Sequence, residues 1–177
     1  QIDEAMAAFD RALDLDPDHL DASFNRFIAT ALGGQLDLAW PFAECRFDRR
    51  RNVPVDLRYQ GDAPAWDGQA SLSGKTLLVH AEQGLGDTLQ FMRYAIALRD
   101  QGISVSLCAQ PKLHSLIQAS GIDPSPLTPE QANHVTEGKW IPLLSVPRHL
   151  GVSPDNPVIT RPYIKTTDEL HAKWAEI

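Results

Sequence analysis

The sequence predicts an α/β fold with a parallel sheet, preceded by an α-helical segment. Apolar residues recur at intervals of three and four through residues 1–50, which is the periodicity of amphipathic helices. The apolar run 76–80 is followed by a glycine loop, a helical pattern over 85–98 and an alternating run at 103–108. A strand, a helix and a strand in this order form a βαβ unit, whose strands are parallel.

The helical segment contains one run with a specific spacing. A small residue, an aromatic residue, a second small residue and a proline follow one another there, at Ala5, Phe9, Ala12 and Pro17. This spacing resembles the second helix of a tetratricopeptide repeat. Two further helices are predicted over 20–32 and 36–47, separated by the break Gly33-Gly34. The pattern also suits a plain helical hairpin, and either alternative predicts a packing or partner surface.

Composition narrows the classes of partner. The formal net charge of −7 disfavours nucleic acid, because phosphate binding needs dense positive charge. Arg46 and the arginines at 49–51 predict a solvated helix end. Cys45 and Cys108 are far apart in sequence and indicate neither disulfides nor zinc, so a reducing, cytoplasmic location is expected. No apolar run approaches the ~20 residues that cross a bilayer.

The loop Gly84-Leu85-Gly86-Asp87 is the most informative feature, because a loop after the first strand of a βαβ unit lies at the ligand-binding edge of the sheet. A dinucleotide fingerprint would need a third glycine where Leu89 stands, so NAD is disfavoured. Gly74-Lys75-Thr76 is close to a P-loop ending, but it enters a strand instead of leaving one. No cofactor and no metal are predicted.

Two side chains near this loop have alternative interpretations. Asp87 starts the run Asp-Thr-Leu-Gln, which fits a capping box, and a carboxylate at a loop tip also suits a general base. These two roles do not exclude each other. His80 ends the first strand and is predicted to be a residue whose hydrogen bonds are satisfied at the sheet edge, rather than a catalyst.

The run from His80 to Tyr94, HAEQGLGDTLQFMRY, resembles the E-Q-G-x-G-D-x-x-Q-F-x-R-Y signature of a family of bacterial proteins. These are tetratricopeptide-repeat proteins whose C-terminal domain is similar to the heptosyltransferase-like glycosyltransferases. Flanking runs agree with the resemblance, at 66–68, 72–76, 142–147 and 161–164. One run departs from it, because Gly138-Lys139-Trp140-Ile141 stands where relatives usually have an Asp and a His.

The resemblance implies a GT-B fold, in which two Rossmann-like domains face a cleft. The first domain binds mainly the acceptor and the second binds the nucleotide-sugar. The resemblance assigns the catalytic role to Asp87, as the base that deprotonates the acceptor hydroxyl. It also implies that the following residues line the acceptor side of the cleft: Glu82, Gln83, Gly84, Gly86 and Ser145.

The implied organisation has four parts. Tetratricopeptide-like helices occupy 1–50, a linker 51–75, the Rossmann-like N-terminal GT-B domain 76–165, and the start of a second domain 166–177. The chain would then be a fragment that transfers no sugar alone. The implied partners are a nucleotide-sugar donor, an unidentified acceptor and a protein bound through the repeats. The alternative is a noncatalytic interaction module whose Rossmann-like part is a degenerate platform.

Overall fold

The structure is a computed structural model, and it describes residues 1–48, 59–82, 84–159 and 161–175. The chain forms two compact units. The helical unit comprises Gln1–Pro54 and Ser145–Val158, and the α/β unit comprises Val55–Leu144 and Ile159–Ile177. The predicted boundaries place 145–158 with the sheet, whereas these residues belong to the helical unit. Among the described residues, no helix is both long and apolar enough to cross a membrane.

The order of helices and strands is that of a mixed α/β chain, as predicted. The elements are α1 (Ile2–Leu15), α2 (Leu20–Leu32), α3 (Leu36–Ala43), β1 (Thr76–His80), α4 (Leu85–Phe91), α5 (Arg93–Asp100), β2 (Ser104–Cys108), α6 (His114–Ala119), α7 (Pro129–Ala132), β3 (Lys139–Pro142), α8 (Val146–His149) and α9 (Asp168–Ala175). Short 3₁₀ helices cover Glu44–Phe47, Pro111–Leu113 and Leu143–Ser145.

In the helical unit, α2 packs against both α1 and α3. The predicted helix over 36–47 is shorter than expected, and it runs through Pro41, which has no N–H group for the helical ladder. The α-helix ends at Ala43, and a 3₁₀ turn continues it. The indole N–H of Trp40 donates to the Val152 carbonyl over 3.0 Å, which holds the segment 145–158 against α3.

The sheet of the α/β unit has three parallel strands in the order β2-β1-β3. The pairing of β1 with β2 aligns Thr76 with Ser104, and its pairing with β3 aligns Leu77 with Lys139. After its first residue β1 is fully buried, as expected for the central strand of a parallel sheet. The predicted parallel pairing of the first two strands is confirmed.

Single parallel bridges extend the pairing beyond both outer strands. Leu127 bridges to Cys108 on the outer side of β2, and Ala65 bridges to Trp140 on the outer side of β3. The Trp66 N–H donates to the Trp140 carbonyl over 2.8 Å. Part of the predicted linker is therefore joined to the edge of the sheet.

The helix predicted after the glycine loop is two helices, α4 and α5, with a turn at Met92. Side chains bind the carbonyl oxygens at this break. The Tyr163 hydroxyl donates to the Leu89 carbonyl over 2.6 Å. Arg93 Nε donates to the Gln90 carbonyl over 2.8 Å, and its guanidinium lies 4.7 Å from the Tyr163 ring centroid. Because these carbonyls bond to side chains, the helical ladder is interrupted, and the prediction of one continuous helix is wrong.

The sequence pattern does not predict β3. Gly138 precedes this strand with a φ of 92°, a left-handed backbone that favours glycine. A Cβ atom on Gly138 would overlap the Thr76 carbonyl oxygen. The absence of a side chain therefore lets the start of β3 approach β1.

Candidate functional site

The carboxyl edge of the sheet is where a site is expected. The chain leaves β1 for β2 on one side and later forms β3 on the other side of β1. In parallel sheets a crevice opens outside the strand ends at the point where the strand order reverses. Two segments of the α/β unit follow strands at this point, namely residues 81–84 after β1, and Leu143 and Leu144 after β3.

Asp87 lies in the first turn of α4. The helix begins at Leu85, and Gly84 is its N-cap residue, with no side chain capping it. The prediction that Asp87 caps this helix is therefore wrong, because Asp87 is already the third helical residue. Its half-buried carboxylate makes no hydrogen bond or ion pair within the part of the chain that the structure describes. Both carboxylate oxygens are thus available to a ligand.

The two glycines beside Asp87 are not required by the backbone. Neither Gly84 nor Gly86 has a positive φ. A Cβ on Gly86 would meet no atom within 4 Å, and a Cβ on Gly84 would lie 3.6 Å from Asp87 Oδ2, an ordinary contact distance. The fold accepts a side chain at either position, so the effect of the glycines is to leave the backbone next to Asp87 uncovered.

The connection between β1 and the glycine loop is fixed to the sheet. The Ala81 N–H donates to the Cys108 carbonyl over 3.0 Å, which continues the pairing with β2 beyond the end of β1. Glu82 is buried, with 5% of its surface exposed. Gln83, which the resemblance places in the same site, lies outside the described residues. Glu82 lies in the connection between the end of β1 and the glycine loop.

Thr88 is a residue of this region that the sequence does not single out. Its buried hydroxyl donates to Gln110 Oε1 over 2.9 Å and lies 3.3 Å from the Gly84 carbonyl oxygen. Because Gln110 follows β2, the contact joins the first turn of α4 to the end of the neighbouring strand. The sequence signal that could have indicated Thr88 is its position four residues after Gly84, since a threonine hydroxyl can bond to the carbonyl four residues earlier.

His80 is a buried histidine at the end of the central strand. It is 1% exposed, and its ring centroid lies 5.8 Å from that of Tyr59. Its Nε2 atom has no hydrogen-bond partner among the described residues. The prediction that the hydrogen bonds of the His80 side chain are satisfied is therefore wrong for this atom. Burial lowers the pKa of His80, and a hydrogen bond with the Ala81 backbone opposes this shift in part. The imidazole is therefore neutral at pH values where an exposed histidine is charged.

This burial predicts a pH dependence of stability. Between about pH 6.5 and the lower pKa of His80 in the folded chain, the unfolded chain binds more protons than the folded chain, so the free energy of unfolding falls as the pH falls. Above about pH 6.5 both states are neutral, and His80 contributes no slope. The slope stays below about 1.4 kcal/mol per pH unit, which is the limit for a full proton. Urea unfolding at a series of pH values should show this slope in the wild type and its removal in His80→Gln.

The control for this experiment is His171→Gln, at an exposed position of α9. This variant should keep the wild-type slope, because it leaves the buried imidazole of His80 in place. Equal slopes in the wild type and in His80→Gln would contradict the prediction.

Ser145 belongs to the helical unit, and its hydroxyl group forms hydrogen bonds with side chains of that unit. Ser145 Oγ accepts a hydrogen bond from Arg46 Nη2 over 2.7 Å and donates to Glu44 Oε1 over 3.0 Å. Arg46 Nη1 donates to the Ala43 carbonyl over 2.8 Å, and the guanidinium lies 4.1 Å from the Phe47 ring centroid. Ser145 itself is 3% exposed. A substrate contact by this hydroxyl would have to replace one of these internal bonds.

Arg46 is 8% exposed, so the prediction of a solvated arginine run is wrong at this position. The arginines at 49–51 lie outside the described residues. We expect Arg46→Met to lower the free energy of unfolding by roughly 2–3 kcal/mol, because it leaves buried acceptors without their charged donor. Urea unfolding followed by circular dichroism measures the loss.

Arg161→Met is the matched control, because it also removes an arginine from an ion pair. Arg161 Nη2 lies 2.8 Å from Asp100 Oδ2, with side chains that are 61% and 54% exposed. Solvent-exposed ion pairs contribute little to stability, so we expect Arg161→Met to lower the free energy of unfolding by less than about 1 kcal/mol. A loss as large as that of Arg46→Met would show that burial of the Arg46 hydrogen bonds does not increase their contribution to the free energy of unfolding.

Comparison with known proteins gives no relative. Protein-family models, curated proteins and solved structures each give no significant match to this chain.

Proposed function

We propose that this chain is the acceptor-binding half of a nucleotide-sugar-dependent glycosyltransferase of the heptosyltransferase-like type. One observation carries the proposal: Asp87, next to two glycines, follows the central strand at the edge where the strand order reverses. The carboxylate would take the proton of an acceptor hydroxyl group while the oxygen of that hydroxyl group attacks the anomeric carbon of the donor sugar. The nucleotide then leaves with the electrons of the broken bond.

The strand order supports a Rossmann-like assignment of the α/β unit. The pairing order is β2, β1, β3, so the strand order reverses at β1. Doubly wound sheets reverse their strand order in the same way beside the first strand. The site of such sheets lies beside the first strand, which is β1 here.

The surroundings of Asp87 support its role as a base. The bond from Thr88 to Gln110 and the bond from Ala81 to Cys108 hold both sides of the loop on the sheet. A general base has to reach the hydroxyl at hydrogen-bond distance, and a fixed loop keeps it in place for that contact. Its carboxylate is not engaged by other described residues, so binding an acceptor breaks no internal bond.

Sugar transfer by the full-length protein tests the proposal. Labelled UDP-, GDP- and ADP-sugars are incubated with the protein and with its Asp87→Asn variant, and labelled product is measured. We expect transfer by the wild type and its loss in the variant. Unchanged transfer in Asp87→Asn would refute Asp87 as the base.

A second candidate is a noncatalytic interaction module with tetratricopeptide-like repeats. The observation that favours it is the exposure of apolar side chains on the helical unit, with Leu15 88%, Leu32 72% and Leu38 58% exposed. Exposed apolar side chains that form one contiguous patch often bind protein partners. If a phenotype of the full-length protein is known, its survival in Asp87→Asn combined with its loss in Leu32→Ser would favour the module.

A further inference from the structure

A cleft of about 520 Å³ lies at the opposite edge of the sheet, where β1 and β2 begin. Two turns line it, residues 72–76 and 102–104, and all of them belong to the α/β unit. Its volume is within the range of small-molecule sites, ~300–1,000 Å³. The glycine loop and Asp87 follow the carboxyl end of β1, so this cleft is separate from the candidate site.

The cleft offers hydrogen-bond donors to a ligand. Thr76 and Ser104 are paired in the sheet, and their hydroxyl oxygens are 3.3 Å apart, so that one donates to the other. Two hydroxyl groups have two protons, and this contact uses one, which leaves the second for a ligand. Ser73 adds a third hydroxyl group to the lining.

The charge of the lining is positive. Lys75 is the one charged residue among the lining residues, and they include no carboxylate. Lys75 is exposed, and its ammonium group forms no ion pair with any residue in the described ranges. An ammonium group has three N–H donors, and it attracts anions most strongly where no acid competes.

Both turns contain a glycine with open space beside its backbone. Gly74 has a φ of 69° and Gly102 a φ of 82°, so each occupies a left-handed position. A Cβ at either position would meet no atom within 4 Å. The space above these backbones is therefore free for a ligand.

We propose that this cleft binds a small oxyanion, namely phosphate or the phosphate group of a small phosphorylated molecule. The lining provides one cation and several hydroxyl donors around a single space, and phosphate oxygens accept bonds from both. Gly74-Lys75-Thr76 thus has an anion-binding role without the geometry of a P-loop, because the triplet enters β1. This site does not depend on the proposed sugar transfer.

Phosphate titration of the ¹⁵N-labelled chain at constant ionic strength tests the proposal. The expected result is saturable shifts of the amide signals of 72–76 and 102–104, with a Kd on the order of 1 mM. Lys75→Met should weaken binding at least tenfold, and Ser104→Ala should weaken it severalfold. Lys112→Met, which removes an exposed lysine outside the cleft, should bind like the wild type.

A parallel titration with glycerol 3-phosphate distinguishes the two sources of the anion. Tighter binding of the ester assigns the cleft to phosphorylated small molecules, and equal binding assigns it to the free anion. Shifts that rise linearly without saturation would overturn the proposal. An unchanged affinity in Lys75→Met would overturn it as well, because the cation would then play no part.

Discussion

Replacement of Asp87 by Asn should lower the rate of the proposed sugar transfer roughly 10²- to 10⁴-fold, the usual contribution of a general base. Asn has nearly the same size and shape as Asp but does not take up a proton at neutral pH. The Asp87 carboxylate makes no bond to other described residues, so its loss should change the free energy of unfolding by less than about 0.5 kcal/mol. The effect should therefore appear in kcat, while the folded fraction stays the same.

Asp62→Asn is the control for general effects of removing a carboxylate. Asp62 is exposed in the same α/β unit, and it does not follow a strand at the carboxyl edge. This variant should transfer sugar at the wild-type rate. Transfer by Asp87→Asn within a factor of two of the wild type would mean that this carboxylate takes no proton in the reaction.

The second large effect concerns stability. Gly138→Ala should lower the free energy of unfolding by roughly 4 kcal/mol, from the strained left-handed backbone and from overpacking together. The new methyl group would overlap the Thr76 carbonyl oxygen in the central strand. The Thr76 carbonyl group belongs to the backbone of the sheet, so it cannot rotate away from the new methyl group. β3 would therefore have to separate from β1. Urea unfolding followed by circular dichroism measures the loss.

Gly74→Ala separates the two contributions. Gly74 also has a positive φ, 69°, but a Cβ there meets no atom within 4 Å. We expect this variant to lose only roughly 1–2 kcal/mol, the cost of the left-handed backbone alone. Similar losses in the two variants would show that contact between Gly138 and Thr76 does not limit the approach of β3.

The sequence predicts the parts of the fold that local periodicity determines. The apolar run of β1 and the alternation of β2 are enough to predict two parallel strands, and the pairing of Thr76 with Ser104 confirms this. The same local information excludes a P-loop, since Thr76 is the first residue of β1. For the candidate site, the sequence indicates that Glu82 and Asp87 follow a strand, because their positions depend only on the end of β1, whereas their roles stay predictions.

The sequence does not predict features that depend on distant residues. The break at Met92 results from a hydrogen bond to the Leu89 carbonyl that comes from Tyr163, far along the chain. In the same way, buried Arg46 donates a hydrogen bond to Ser145. The sequence around each of these two residues gives no indication of the other as its partner. β3 is short and starts after a glycine, so neither alternation nor length indicates a strand.

The division of the chain has a consequence for how its two units can be inherited. The backbone passes between them three times, after Pro54, after Leu144 and after Val158. A cut after residue 50 would leave Trp40 without the Val152 carbonyl and Arg46 without the Ser145 hydroxyl. Neither unit is one continuous stretch of sequence. A single recombination event therefore cannot transplant the helical unit complete, and gene fusions that exchange this unit must carry the segment 145–158 with it.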